Sequence, residues 1–140
     1  MNPVTIDLKD ILEANGVGTF GATNGWGIYI GFEPETPDTT ITLYDTGGGS
    51  PLPNLLLDFP TIQTRIRGSV GDYEATYQKA LEVRDVLLGL PSQTINGTLY
   101  DGVWANSDII YLTRTKDRPV FVINWRIARE PATGNNRNPL

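Results

Sequence analysis

Apolar residues recur along the chain with two periods, one typical of helices and one typical of β-strands. The first helical pattern lies near the N-terminus, where Leu8, Ile11 and Leu12 share one face. Thr5 is placed to cap this helix, and Gly16 is placed to end it. The spacing therefore predicts a short N-terminal helix with one buried side.

A longer helix is predicted over residues 73–88, because Asp72 is a favoured capping residue and Gly89 and Pro91 follow the pattern. Arg84 lies near the middle of its apolar stripe, where an unpaired guanidinium would be costly to bury. We expect its stem to pack on the sheet while its head reaches the rim, and a contact made only on assembly is the alternative. The rest of the stripe consists of Tyr73, Tyr77, Ala80, Leu81, Val83, Leu87 and Leu88.

Alternation of apolar and polar residues predicts strands before and after the longer helix. In the first block, residues 26–32 and 39–44 are predicted to pair as a hairpin, and residues 59–68 form a third strand. Residues 46–54, rich in Gly and Pro, are predicted to be an exposed mobile loop. The second block holds three strands, at 94–100 or 102–105, at 109–113 and at 120–128.

The order of helix, three strands, helix and three strands predicts an α+β fold. We expect an antiparallel or mixed β-sheet with two helices packed on one side. A chain of 140 residues suits a single domain, which we place at residues 1–130. Residues 131–140 are polar and are predicted to be a disordered tail.

Missing residue types exclude the commonest catalytic designs. The chain has no His and no Cys, so it cannot form a zinc finger, a thiol nucleophile or a Ser-His-Asp triad. A formal net charge of -5, with three Lys beside eight Arg, argues against broad binding of nucleic-acid phosphates. No apolar run approaches the roughly 20 residues of a membrane span, and the N-terminus does not resemble a secretory signal. We therefore expect no catalytic, cofactor or metal site and no membrane partner.

Glycine-rich and acidic stretches are the remaining candidates for chemistry. Residues 16–21 match G-x-G-x-x-G, but a helix precedes them and a strand follows, which inverts the order of a dinucleotide site. Residues 47–50 lack the Lys-Ser/Thr pair of a phosphate loop. Carboxylates for a hard cation or an acid-base pair could come from Glu33, Glu35, Asp38, Asp45 and Asp58, but their spacing is not that of a calcium loop. A carboxylate-based hydrolase is therefore only a remote alternative.

Arginine and tryptophan are the candidates for a partner interface, because interfaces are enriched in both and depleted in Lys. Arg65 and Arg67 lie on the polar face of the third strand, and Arg126 lies on the polar face of the last. Trp104 is a large aromatic residue in a polar segment. The structural alternatives are a solvated strand face for the arginines and packing over an open sheet end for Trp104. With Arg84 these residues form the candidate interface set.

A resemblance to a known family is strongest over residues 44–87. The order of strand, glycine turn, acidic-Pro strand, Arg-x-Arg-Gly and Asp-Tyr-opened helix resembles the small tail-terminator and minor capsid proteins of long-tailed, siphovirus-type bacteriophages. The resemblance covers roughly residues 5–131 and implies a structural virion protein rather than an enzyme. The segments that carry it are Leu43-Tyr44-Asp45-Thr46-Gly47-Gly48, Asp58-Phe59-Pro60-Thr61-Ile62-Gln63-Thr64-Arg65-Ile66-Arg67-Gly68 and Gly71-Asp72-Tyr73-Glu74-Ala75.

The resemblance also implies partners. Similar proteins form a ring, commonly of six copies, that caps the tail tube and docks to the head connector. The implied partners are further copies of the chain, the tail tube protein and the head-tail connector protein. DNA would pass through the lumen without specific binding. The implied location is the tail or neck of the virion, after assembly in the host cytoplasm.

Two expectations follow from this resemblance. Acidic walls would repel DNA phosphates, so carboxylates are expected to line the lumen or the ring edge. A long Gly/Pro loop between Gly47 and Leu55 departs from the family pattern and is a candidate ring or tube contact. A head-completion or neck connector subunit is the near alternative to a tail terminator. The lumen or ring-edge candidates are Glu33, Glu35, Asp38, Glu74, Glu82 and Asp85.

Overall fold

The computed structural model describes residues 1–131 and Arg137. Within that part of the chain, two helices and eight strands form, and all eight strands belong to one mixed sheet. The elements are α1 Val4–Ala14, β1 Thr19–Phe20, β2 Gly27–Ile30, β3 Thr40–Gly48, β4 Pro60–Arg67, α2 Tyr73–Leu87, β5 Gln93–Ile95, β6 Thr98–Ala105, β7 Ile110–Thr115 and β8 Arg118–Arg129.

Strand β8 is the centre of the sheet. The strand order of the sheet is β1-β2-β3-β4-β8-β6-β5, and β7 also pairs with β8. One edge of β8 pairs with β4, while β7 and β6 share the other edge, β7 near Arg118 and β6 near Arg129. The predicted α+β fold with a mixed sheet is confirmed.

Both helices pack on one face of this sheet, as the alternation predicts. The core face of β8 carries Phe121, Ile123, Trp125 and Ile127, which are all buried. Leu8 and Leu12 of α1 and Ala80, Val83 and Leu87 of α2 join the same hydrophobic cluster. The other face of the sheet, which we call the open face, is not covered by either helix.

The predicted hairpin between the first two long strands is wrong. Strands β2 and β3 pair in parallel, with Gly27 opposite Thr40 and Ile30 opposite Leu43. Alternation has the same period in parallel and antiparallel strands, so it carries no information on strand direction. Residues 31–39, which we call the crossover loop, return the chain to the start of β3.

The two helix starts differ in how well the sequence predicts them. Asp72 caps α2 as expected, because its carboxylate accepts a hydrogen bond from the Ala75 N–H at 3.3 Å. Thr5 does not cap α1, which begins at Val4. Instead, Thr5 donates its N–H at 3.4 Å and its hydroxyl at 2.8 Å to the carboxylate of Asp45 on β3. The free N–H group of Thr5 at the start of the helix is therefore satisfied by a residue 40 positions away in the sequence.

Helix α2 lies close to the end of β4 because residue 68 is glycine. A Cβ at Gly68 would overlap the side chain of Thr76, which is buried under the helix. The predicted stripe of α2 omits Thr76 and includes Tyr73, Tyr77 and Leu88, which are exposed. Strand β3 runs to Gly48, so part of the predicted loop at 46–54 is strand. The predicted disorder of residues 131–140 falls mainly on residues 132–136 and 138–140, which lie outside the described residues.

Candidate subunit interface

Trp104 and Arg126 meet on the open face of the sheet. They are opposite each other in the pairing of β6 with β8, and the guanidinium lies 5.3 Å from the centre of the Trp104 ring. Trp104 is 42% exposed, and Arg126 is also exposed. An ideal Cβ on Gly102 would come within 2.6 Å of the Trp104 ring, so glycine at this position leaves room for the indole. Two sequence-predicted candidates thus form one cation–π pair at the surface.

Phe59 extends this surface toward the start of β4. Asp58 and Arg129 form a two-bond bridge, 2.7 Å from the Asp58 N–H to the Arg129 carbonyl and 3.0 Å for the reverse bond. Since Thr61 is opposite Arg126, this register places Phe59 on the same side as Thr61, near Ala128. Phe59 is 39% exposed. Its position makes it a neighbour of the Trp104–Arg126 pair along the open face.

Residues 49–58, which we call the apolar loop, expose further large side chains next to Phe59. Leu52, Leu55 and Leu56 are all exposed, and Leu56 is 64% exposed. The sequence from Thr46 to Leu57 contains no charged residue. Contiguous exposed apolar groups of this kind are typical of interaction surfaces.

Arg67 is buried and makes its contacts within its own subunit. It is 3% exposed and donates hydrogen bonds to the carbonyls of Pro34 at 2.7 Å, Pro37 at 2.7 Å and Asp38 at 3.0 Å. Its Nη1 also lies 3.5 Å from the carboxylate of Glu33. Burial lowers the pKa of Arg67, although nearby carboxylates oppose that change. The structure therefore places Arg67 under the crossover loop, where it fixes the loop's shape.

Arg65 lies beside Arg67 but is more accessible. Its Nε is 2.7 Å from the carboxylate of Glu33, and Glu33 thus bridges the two arginines. Arg65 is opposite Val122 of β8, which is in turn opposite Ile110 of β7. Arg65 therefore belongs to the open face, two rows from the Trp104–Arg126 pair.

Arg118 is a second buried arginine in this cluster, and the sequence did not predict its burial. Its Nη1 donates to the Glu35 carbonyl at 2.8 Å and to the Asp38 carboxylate at 3.3 Å. Lys116 lies 2.8 Å from the exposed carboxylate of Glu35, and its hydrogen bond lowers the pKa of Glu35. The only local signal for Arg118 is its place at the start of a strongly apolar strand.

Arg84 lies away from the open face, at the rim of α2. Its Nη1 is 3.1 Å from Asp108 and its Nε is 3.2 Å from Asp85. The hydrogen bond to Asp108 is the main reason why the pKa of Arg84 is raised. Its guanidinium therefore reaches the surface and finds carboxylates within its own subunit.

The acidic candidates form two separate groups. Glu33, Glu35 and Asp38 lie on the crossover loop. Glu74, Glu82 and Asp85 are exposed on the outer side of α2, where Glu82 pairs with Lys79 at 2.9 Å. The crossover-loop carboxylates are all bound by basic groups, namely Arg65, Arg67, Lys116 and Arg118.

An aromatic cluster lies where α2 meets β7. Tyr73 and Tyr111 both contact Phe121, at ring-centroid distances of 5.0 and 5.4 Å, and lie 5.3 Å from each other. Tyr77 adds a fourth ring, 5.6 Å from Phe121. Tyr111 is 45% exposed, and its strand β7 is exposed along nearly all of its length. Sequence reasoning assigned Tyr73 and Tyr77 to the core and missed Tyr111.

Asp7 is the one carboxylate of α1 that is fully buried, and its surroundings are structural. It accepts hydrogen bonds from the Tyr100 hydroxyl and from the Asn96 amide, the latter at 2.8 Å. Burial, followed by the bond to Asp7, raises the pKa of Tyr100. Arg129 lies 3.3 Å from the same hydroxyl. This network joins α1 to β6 and β8.

Across residues 1–131 and Arg137, no three Asp or Glu side chains come close enough to hold a metal ion. Neither helix in the described part of the chain combines the length and apolarity needed to cross a membrane.

Comparisons with known proteins agree with the family resemblance. A family model described as "Bacteriophage tail terminator protein" matches residues 11–131, which is most of the chain. No curated protein matches the sequence. One solved structure is similar over 89% of this chain and 90% of its own, with 13% sequence identity and a TM-score of 0.53, and this likeness concerns the fold alone. The chain therefore belongs to the bacteriophage tail terminator protein family, and it is a structural component of the virion tail.

Proposed function

We propose that this chain is the tail terminator itself, a subunit that closes into a ring on the finished tail tube and joins the tail to the head connector. The family membership supports a structural tail protein. The ring, its number of copies, which we expect to be six, and its two partners are part of the proposal. Assembly in the host cytoplasm, before the tail joins the head, belongs to it as well.

The observation that carries this proposal is the open face of the sheet. Trp104 stacks with Arg126 at the surface, and Phe59 with the apolar loop continues the same surface. Trp and Arg are the residues most often found as energetic anchors of interfaces, and exposing them without a partner has no benefit for folding. A subunit of this design is therefore suited to burial against another protein.

Helix α2 is a better candidate than the crossover loop for the acidic wall of the lumen. On the crossover loop, the charges of Glu33, Glu35 and Asp38 are compensated by four basic side chains within contact distance. On α2, Glu74, Glu82 and Asp85 are exposed, although Glu82 pairs with Lys79 and Asp85 with Arg84. Three carboxylates against two basic side chains leave the helix with a net negative charge. A negative surface repels DNA phosphates, so DNA would slide past it without specific binding. We propose that this side of α2 faces the DNA path.

Electron microscopy of the parent phage with an early stop codon in this gene tests the proposal. A tail terminator predicts full, free heads beside tails of abnormal or uncontrolled length. Heads that leak DNA beside tails of normal length would instead assign the chain to head completion or the neck connector. Intact infectious particles would contradict both structural functions.

A further inference from the structure

The apolar loop is held in a defined shape by a residue from the C-terminal segment. Arg137 donates hydrogen bonds to the carbonyls of Leu52 at 3.2 Å and Leu55 at 2.5 Å. Its second nitrogen donates to both carboxylate oxygens of Asp58, each at 2.9 Å. A hydrogen bond between a guanidinium and a carboxylate is charge-assisted and is therefore stronger than a neutral one. The loop is thus preorganised, which lowers the entropy cost of using it in a contact.

A pocket of about 120 Å³ lies at the other apolar surface of the subunit. Tyr73 and Tyr111 form its aromatic walls, and Pro119 contributes a further apolar side. Arg114 and Asp117, which also line it, are 3.6 Å apart and compensate each other's charge. We call this site the aromatic pocket, and its size suits one aliphatic side chain.

The apolar loop and the aromatic pocket lie at opposite ends of β8. The loop adjoins Arg129, the last residue of the strand, through the Asp58 bridge. The pocket adjoins Pro119, the second residue of the strand. At about 3.3 Å per residue, these ends are roughly 30 Å apart. A closed head-to-tail ring needs two different surfaces on each subunit, and the loop and the pocket are two such surfaces.

We propose that in the ring the apolar loop of one copy packs against the next copy, with Leu56 entering the aromatic pocket. This inference rests on the proposed ring and adds the surfaces that close it. Asp58 is neutralised by Arg137, and Arg114 by Asp117, so the contact buries no unpaired charge. Arg137 is a positioning residue in this contact, because it acts through the shape of the loop.

Cysteine cross-linking tests the contact without background, since the chain contains no Cys. Leu56→Cys protein is mixed with Tyr111→Cys protein, oxidised, and compared with a mixture of Leu56→Cys and Leu88→Cys. Leu88 is a matched control, because it is similarly exposed but lies at the far end of α2. The expected result is about tenfold more heterodimer with Tyr111→Cys, since docking raises the effective concentration of the two thiols. Equal yields from the two mixtures would overturn the inference.

Variants that place a charge in the contact test the loop–pocket contact independently of the proposed ring. Leu56→Asp and Tyr111→Asp should each abolish ring formation while the far-ultraviolet circular dichroism and the melting temperature show a folded subunit. A mixture of the two variants should form dimers and stop there, because only one intact loop–pocket contact remains. Rings formed by both variants would overturn the inference and leave the proposed function standing.

A chain that carries both Leu56→Cys and Tyr111→Cys, incorporated into particles of the parent phage, covers the case in which the free protein is a monomer. Oxidised particles should then give a ladder of cross-linked chains that ends at the ring size. Particles that contain a ring but give no ladder would refute the loop–pocket contact. Particles in which this chain forms no ring would refute the proposed function instead.

Discussion

Replacing Arg67 with methionine tests the role of the buried arginine cluster in shaping the crossover loop. The variant keeps the length of the side chain but loses every donor. It leaves the carbonyls of Pro34, Pro37 and Asp38 without their partner and removes one of the two arginines beside Glu33. Because breaking a buried ionic contact typically costs about 3–5 kcal/mol, we expect a loss of that size in unfolding free energy.

Urea and thermal unfolding measure this loss. For a chain of this length, each kcal/mol lowers the melting temperature by roughly 3–4 °C, so Arg67→Met should melt about 10–20 °C lower. Arg65→Met is the matched control, because Arg65 is accessible and makes one ion pair with the same Glu33. That variant should lose no more than about 1 kcal/mol.

Hydrogen exchange locates the effect. In Arg67→Met, the four backbone amides within residues 33–38, where two positions are prolines, should exchange faster than in the wild type, while those of β8 keep their relative protection. If Arg67→Met and Arg65→Met cost the same within about 1 kcal/mol, the reasoning from the buried carbonyl contacts is refuted.

Three further substitutions test the helix supports and the interface. Asp7→Ala should cost about 3 kcal/mol in urea unfolding, since it leaves the buried Tyr100 hydroxyl without its acceptor. Gly68→Ala should cost about 1–3 kcal/mol, because the new methyl group overlaps Thr76 and moves α2 from the sheet. Trp104→Ala should leave the melting temperature nearly unchanged, because Trp104 is exposed in the free subunit. Loss of an interface anchor worth about 2 kcal/mol corresponds to about a 30-fold weaker ring contact, which sedimentation or native mass spectrometry would measure.

Each of these variants has a control in the same chain. Asp10→Ala removes a more exposed carboxylate that also binds Asn96, and it should cost less than about 1 kcal/mol. Gly49→Ala adds a methyl group where the nearest atom is 3.8 Å away, so it should be tolerated. Trp104→Phe keeps an aromatic ring over Gly102 and should retain part of the ring affinity. Equal effects of any variant and its control would contradict the corresponding explanation.

The sequence predicts elements whose signals are local. Alternation from Phe121 to Ile127 identifies β8, and Asp72 correctly marks the start of α2. The direction of β2 was missed, because alternation looks the same for parallel and antiparallel strands. The cap of α1 was missed because Asp45 is distant in sequence.

In the candidate interface, too, the sequence predicts local features but not contacts between distant residues. Trp104 and Arg126 could each be named from residue type, but their stacking depends on the register of β6 against β8. Alternation correctly places Arg67 opposite the core face, yet the crossover loop covers it there. The contact of Arg137 with the apolar loop joins residues about 80 positions apart, and a single sequence carries no sign of it.

Cryo-electron microscopy of the neck of the parent phage tests the central claim most directly. The account predicts a single ring of this chain at the head-proximal end of the tail tube, with the exposed side of α2 toward the DNA and Trp104 buried between subunits or against a partner. Density for this chain on the head side of the connector, or its absence from the end of the tube, would contradict the assignment as tail terminator.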